Sequence, residues 1–393
     1  MARLGDICSL QSGGTPTRNN PDFFAGHIPW ITTVALNGDI IDERNAVEMI
    51  SEKAISNSAA KVVPPYSIMV GTRVGIGKVA INKVPMSTSQ DIISLIGIDE
   101  SAWDRKYLLK FIQGKSSYLI SQARGATIKG IKAEVLADMV LPQHTLPIQR
   151  RIAATLDKVS EGIALCKQML VDLDELVKSR FVELFGDPID NPKGLPVKTL
   201  KELSTLITNG NTPKGGSENY VDKGILFLRS QNVWRNRIEL DDVAYIDEAT
   251  HHSLKKSSLK HKDILITKTG RINTENSSLG RAALYLGEDD SANINGHVYL
   301  IRLDGSVVPE YVVTILTSEA YRKYIRKVCV GGIDKRQINL DQVEDFPIIL
   351  PSVDLQEQFA AFVEQTDKSK LAVQQQLAEL ETLKKSLMQE YFG

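Results

Sequence analysis

Apolar residues recur along this chain in two rhythms. From Ile152 they follow alternating steps of four and three through Leu156, Val159, Ile163, Cys166, Leu170, Leu173 and Val177, and return at Leu184. Such a heptad seam predicts a helix that lays one narrow stripe against a partner. No proline interrupts residues 149–185, and at about 1.5 Å per residue a helix over that span is about 55 Å long, a rod too long for one small core. A second seam starts near Leu355 and runs through Phe359, Phe362, Thr366, Val373, Leu377, Leu380, Leu387 and Tyr391, with a more polar middle at 365–370. Elsewhere the rhythm is shorter. Runs such as Ile92-Ile93-Ser94-Leu95-Ile96, Gly224-Ile225-Leu226-Phe227-Leu228, Asp263-Ile264-Leu265-Ile266 and Val298-Tyr299-Leu300-Ile301 are bounded by Gly, Pro, Asn and Asp and predict strands. Shorter helical patterns lie at 104–119 and 309–327.

The two rods belong to a duplication. Leu141-Pro142 precedes the first, which ends in Glu183-Leu184-Phe185-Gly186; Leu350-Pro351 precedes the second, which ends in Glu390-Tyr391-Phe392-Gly393. Proline disfavours helix at the residue before it, so both Leu-Pro pairs mark entry boundaries. Gly14-Thr15-Pro16 is echoed by Asn211-Thr212-Pro213, Ile76-Gly77-Lys78-Val79-Ala80 by Leu279-Gly280-Arg281-Ala282-Ala283, and Lys178-Ser179 by Lys385-Ser386. Between the copies, Gly186-Asp187-Pro188 and Asn191-Pro192-Lys193-Gly194-Leu195-Pro196 predict a stiff linker. The expected order is a domain over 1–148, a helix over 149–186, a linker over 187–196, a second domain over 197–353 and a helix over 354–393. From Leu-Pro to the closing glycine the second copy is two residues shorter, which predicts a slip of phase in the polar middle of the helix pair.

At 393 residues the chain exceeds one ordinary core and predicts two to four structural units. Its 42% hydrophobic and 24% charged content is that of a globular protein, and no apolar run reaches the roughly 18 residues that span a bilayer. The opening Met1-Ala2-Arg3-Leu4-Gly5-Asp6 lacks the apolar core of a signal peptide, and the expected compartment is the cytoplasm. Cys8, Cys166 and Cys329 are too few and scattered for a disulfide framework. With a formal net charge of -1, contact with nucleic acid must come from local basic surfaces.

Catalytic motifs do not complete themselves. Val63-Pro64-Pro65-Tyr66 approaches the amino-methyltransferase motif, but Val63 stands where a polar acceptor for the target amine is needed, and no glycine-rich cofactor turn accompanies it. Gly75-Ile76-Gly77-Lys78 suggests a phosphate-binding loop, yet Thr72 replaces its leading glycine and Val79 its magnesium-holding hydroxyl, so a turn between strands explains it. His251, His252 and His261 lack metal-site spacing and read as solvated surface. No metal and no catalytic group is expected in this chain.

What recurs is polar loop chemistry suited to nucleic-acid edges and phosphates. The first copy offers Thr15, Thr17, Arg18 and Asn19, then Arg73, then Arg124 with Lys129. The second offers Asn211, Thr212 and Lys214, then Arg229, Gln231 and Asn232, then Lys268, Thr269 and Arg271, then Lys335 and Arg336. Arginine pairs with guanine, Asn or Gln with adenine, and lysine with phosphate. Exposed loops are polar in any protein, so each cluster also has a plain structural reading.

Two divergent α/β domains, each followed by Leu-Pro and a long helix ending in Phe-Gly, resemble the specificity subunit of type I restriction-modification enzymes over essentially the whole chain. The segments that carry the resemblance are Lys335-Arg336-Gln337-Ile338, Ile349-Leu350-Pro351, Leu355-Gln356-Glu357-Gln358, and Leu141-Pro142 through Leu146-Pro147-Ile148-Gln149-Arg150-Arg151-Ile152. Where the family often shows Pro-Leu-x-Glu-Gln, the second copy keeps Gln-Glu-Gln and the first has Pro-Ile-Gln. The resemblance implies a mixed α/β (α+β) protein with two similar target recognition domains, each followed by a long helix, the helices packing as an antiparallel coiled coil with pseudo-twofold internal symmetry. It implies a non-catalytic reader of a bipartite site in double-stranded DNA, one half per domain, with the helices setting the spacer. The implied partners are two modification (methyltransferase) subunits and restriction (translocase/endonuclease) subunits; S-adenosylmethionine, ATP and Mg are expected on those partners and no cofactor in this chain. A structural adaptor that binds proteins through its duplicated domains is the competing expectation. A self-sufficient methyltransferase built on Val63-Pro64-Pro65-Tyr66 is a third.

Overall fold

The structure, a computed structural model, describes residues 1–125, 129–213, 215–274 and 276–393. They form two compact units, 1–168 with 374–393 and 169–373. Each unit therefore holds one of the duplicated domains, half of one long helix and half of the other.

In the first unit a five-stranded sheet has the order Ser9–Ser12, Ile92–Ile96, Ile68–Gly71, Val79–Asn82, Ile40–Ile41, and a four-stranded sheet the order Glu48–Ile50, Ile28–Ile31, Met86–Thr88, Val62–Val63. In the second unit the corresponding sheets run Ser204–Asn209, Val298–Leu303, Ile264–Thr267, Ala282–Leu284, and Ala244–Ile246, Ile225–Leu228, Ala292–Ile294. Ile68–Gly71 and Ile264–Thr267 are buried along their whole length. That is why they read as continuous apolar runs without alternation. A short edge strand closes each domain: Ala2–Arg3 pairs with Val140–Leu141, and Val197–Thr199 with Pro347–Ile349. Both Leu-Pro pairs stand where such a strand gives way to a long helix.

The helical patterns at 104–119 and 309–327 each break into two helices. Arg105–Gly114 is followed by Ser116–Ser121, and Pro309–Thr317 by Glu319–Val328. Ser318 causes the second break, because its side chain accepts from the Tyr321 amide and caps a new helix.

The long helices span Leu146–Phe185 and Val353–Phe392, 40 residues each. The first begins before Gln149 because Pro147 sits in its opening turn, where a missing N–H costs nothing. The expected phase slip does not occur. Three residues, 143–145, separate Pro142 from the first helix, whereas Ser352 alone separates Pro351 from the second, so the two-residue difference is absorbed before either helix starts. The repeats then stay in step: Gln149 answers Gln356, Ile152 answers Phe359, and Phe185 answers Phe392.

Within each unit the helix halves run antiparallel. In the first, Leu380 packs 3.2 Å from where a Cβ on Gly162 would stand, Lys167 pairs with Glu381 at 3.0 Å, and Phe392 reaches the cluster holding Ile152 and Leu156. In the second, Asp174 meets Lys370 at 2.7 Å, and the ring centroids of Phe181 and Phe359 lie 5.6 Å apart. The Phe-Gly endings now have a structural meaning. The helix that leaves the first unit ends with Phe185 in the core of the second, against Tyr311 at 4.9 Å, and the helix that leaves the second ends with Phe392 in the core of the first, against Tyr107 at 5.2 Å and Phe111 at 5.7 Å. Gly186 stops the first helix with φ +80°, a left-handed conformation suited to glycine.

A buried glutamine fastens each domain to its helix. Gln149, 0% exposed, accepts from the Asp104 amide at 2.8 Å and donates to the carbonyls of Ala102 (2.9 Å) and His144 (2.8 Å). Gln356, 1% exposed, accepts from the Val308 amide at 3.0 Å and donates to the Pro351 carbonyl at 3.0 Å. Asp104 and Val308 are the N-cap residues of the helices Arg105–Gly114 and Pro309–Thr317.

Candidate nucleic-acid interface

Three backbone hydrogen bonds, repeated in both units, gather loops that are far apart in sequence. Gly13 and Gly210 donate to the carbonyls of Ile92 and Val298, each at 3.1 Å. Thr72 and Lys268 donate to Asp91 and His297, each at 2.8 Å. Ile131 donates to Thr72 at 2.8 Å and Ile338 to Lys268 at 2.9 Å. A Cβ on Gly13 would lie 2.2 Å from the Ser89 carbonyl oxygen and one on Gly210 would lie 1.9 Å from that of Ile294, so glycine is required at both places. The frame is the same in the two units; the side chains it presents differ.

In the second unit the frame carries a three-stranded antiparallel ribbon. Thr269–Arg271 pairs with Lys335–Gln337, which pairs with Val330–Gly331, setting Thr269 opposite Gln337 and Arg271 opposite Lys335. Lys268, Thr269, Arg271, Lys335 and Arg336 thus come together. Arg271 and Lys335 are exposed; Arg271 faces Asp334 at 3.4 Å, and the Lys268 ammonium lies 5.6 Å above the Tyr299 ring. Exposed Asn211 and Thr212 leave the sheet just after Gly210, with Thr212 Oγ1 3.8 Å from where a Cβ on Gly296 would stand. Lys214 lies outside the described residues.

In the first unit the frame gathers Arg73, Arg124 and Lys129. Arg124 and Gly130 exchange two backbone hydrogen bonds of 3.0 Å, and Gly130 faces the Arg73 side chain. All three cations are exposed, with Asp91 3.7 Å from Arg73. Thr15 bonds the exposed Gln90 within the same group of loops, and Thr17 accepts from the Asn19 amide. Gln90 and His297, on the turns at the middle of the two groups, escaped sequence reasoning; no signal marks such a turn until the strands are paired.

Other candidates are committed to partners inside the chain. Arg18 grips Glu48 with two bonds of 2.8 Å and lies 5.1 Å over Phe24, and the Glu48 hydrogen bond followed by its charge raises the Arg18 pKa. Arg229 and Gln231 both reach Asp242 at 2.9 Å, and those bonds, Gln231 first, hold its carboxyl below the usual range. Asn232 is not available to a base edge. At 1% exposure its side chain accepts from the Arg229 amide and donates to the carbonyls of Glu239 and Asp242 (2.9, 3.0 and 2.7 Å), so its polarity holds a turn together. A polar side chain in a turn looks alike in sequence whether it faces outward or inward.

Val63 is buried in the strand Val62–Val63, and the Gly75-Ile76-Gly77 segment is a turn in which Gly75 and Gly77 have φ of +69° and +82°. Among the described residues no group of three or more His, Cys, Asp and Glu side chains is placed to hold a metal, and no helix is long and apolar enough to cross a membrane.

Two sheet domains with equivalent basic loop clusters, fastened to antiparallel helix halves, define a modular DNA-recognition scaffold. The family pattern described as the type I restriction modification DNA specificity domain matches residues 1–174 and 192–382. The chain belongs to that family. It is 24% identical to the type I restriction enzyme MjaIX specificity subunit of Methanocaldococcus jannaschii, over 99% of this chain and 91% of the relative, and 22% identical to the EcoBI specificity subunit of Escherichia coli, over 76% and 67%. Its fold is similar to the S subunit of a type I restriction-modification system from M. genitalium, with TM-score 0.59 at 15% identity over 100% of this chain and 95% of the other. It is also similar to a chain solved in work on assembly and conformational transition of the type I R-M system, with TM-score 0.61 at 18% identity over 100% and 96%. It is a non-catalytic DNA-recognition subunit, a component that assembles with other subunits and with DNA.

Proposed function

We propose that each unit reads one half of a bipartite DNA site through its gathered loops. The observation that carries this reading is the triple of equivalent backbone bonds, which presents Arg73, Arg124 and Lys129 in one unit and Lys268, Arg271, Lys335 and Arg336 at the matching place in the other. A constant frame with unlike side chains suits two readers of unlike sequence. Two methyltransferase subunits and the restriction subunits are the partners, with S-adenosylmethionine on the former and ATP with Mg on the latter, in the cytoplasm. Replacing residues 1–148 by the same domain of a divergent relative, in the complex with its methyltransferase, should change the methylated motif in one half only. Methylome sequencing reads both halves, and a change in both overturns the assignment.

The continuous helices act as the ruler between half-sites. Seven residues inserted after Val171 and seven after Val373 keep the heptad phase and add about 10 Å. At about 3.4 Å per base pair the preferred spacer should lengthen by about three base pairs. An unchanged spacer on the same set of substrates refutes the ruler and leaves the half-site reading standing.

A further inference from the structure

The hairpin of the second unit's ribbon, Val330–Gly331 with Lys335–Gln337, closes through a loop, 332–334, whose middle residue is Ile333. Ile333 is 90% exposed. A single apolar side chain at a surface is common and by itself implies nothing. This one is held out by its surroundings. The Ile272 amide donates to the Asp334 carbonyl at 3.0 Å, and the Arg336 Nε turns back to donate to the Gly332 carbonyl at 3.2 Å, so the loop is bonded on both sides of Ile333. Gly331 has φ +129°, and a Cβ there would stand 2.9 Å from the Lys335 carbonyl oxygen, so glycine is needed for the strands to come this close before the loop opens. The strand Lys335–Gln337 is paired along both edges, with Val330–Gly331 and with Thr269–Arg271. The apolar tip therefore stands on a braced base.

The strands beneath the tip are basic. Arg271 stands opposite Lys335, both are exposed, and Lys268 immediately precedes the strand that carries Arg271. This charge suits a polyanion, and the tip needs one that also offers an apolar group. Double-stranded DNA does so in its major groove, where the 5-methyl group of thymine projects among the polar base edges. That groove, about 12 Å wide, admits a two-stranded ribbon, whereas the minor groove, about 6 Å wide, is too narrow for one. Isoleucine has no side-chain donor or acceptor, so the methyl group is the base feature it can tell apart there.

Resting on the half-site reading, we propose that this hairpin enters the major groove of the second half-site and that Ile333 reads a thymine there by packing on its methyl group. Arg271 and Lys335 hold the flanking phosphates, and Arg336, turned back onto the Gly332 carbonyl, positions the loop. The methyl group lies on one base of the pair, so the contact distinguishes T·A from A·T as well as from G·C.

The test uses the full chain in complex with its partner subunits and cognate duplexes in which each thymine, in turn, is replaced by deoxyuridine, which differs from thymidine by the methyl group alone. At one position in the second half-site the replacement should weaken binding about fourfold, the factor set by about 0.8 kcal/mol for one buried methyl-sized group. Ile333→Ala should bind the all-thymine duplex at least about fourfold more weakly and be indifferent to deoxyuridine at that position, while responding as wild type to every other replacement. Ile333→Leu keeps an apolar tip and should keep the sensitivity. Sensitivity lost in both variants would assign the effect to the shape of the loop and overturn the methyl contact. So would wild-type sensitivity in Ile333→Ala, no sensitive thymine, or a second half-site made of G·C pairs alone. A thymine coupled to Ile333 but lying in the half changed by replacing residues 1–148 overturns the half-site reading and leaves the methyl contact standing.

Discussion

Phe185→Ala is expected to destabilise the second unit by about 3–5 kcal/mol, the usual cost of emptying a buried aromatic site. Phe185 is fully buried, with Phe181 at 5.0 Å, Tyr311 at 4.9 Å and Phe359 at 5.5 Å. None of these neighbours can close the gap cheaply. Tyr311 is held by its hydroxyl, which donates to the Ile349 carbonyl at 2.9 Å, and Phe359 lies in the second turn of a long helix. The loss should be local. Hydrogen exchange followed by mass spectrometry should show protection falling across 197–353 and in 169–185 and 353–373, while 1–148 stays protected. Phe392→Ala should do the reverse, since Phe392 packs on Tyr107 and Phe111 of the first unit. Equal loss in both units from either variant would mean that the units do not hold separate cores.

The same two phenylalanines mark the limit of what sequence revealed. The Phe-Gly endings were visible as a repeat, and the seam from Ile152 onward correctly predicted a rod, because heptad periodicity is local and survives without knowledge of the partner. That each helix closes in the core of the unit it did not start from was not legible in the local pattern: the family resemblance implied antiparallel helices, but the register set by Asp174 with Lys370 and Lys167 with Glu381 is a long-range contact. The phase slip was misplaced for the same reason: length counted from Leu-Pro cannot tell loop residues 143–145 from helix. In the candidate interface, Arg271 and Lys335 were each recognised as polar loop chemistry, but their pairing across the ribbon is a long-range contact. Asn232 looked like the other polar loop residues, and its burial separates it from them.

Gln149→Leu is expected to loosen the joint between the first recognition domain and its helix, and to show this as a loss of spacer discrimination. Leucine nearly preserves the volume but leaves the Asp104 amide and the carbonyls of Ala102 and His144 without their buried partner. An unsatisfied buried group costs about 1–3 kcal/mol. Gln356→Leu strands only the Val308 amide and the Pro351 carbonyl, so its effect should be the smaller of the two. Because both glutamines hold the N-cap residue of a helix in a recognition domain, the damage should reach DNA reading through geometry. Methylation by the assembled complex on duplexes with the spacer shortened or lengthened by one base pair should rise relative to the cognate spacer, with base preference within each half-site unchanged. Lower activity on every spacer in equal proportion would mean that the glutamines only stabilise the fold. A rod sets a distance between two half-sites only if each domain is fixed at its end, and these two side chains, buried at equivalent places, are the strongest candidates for that fixing.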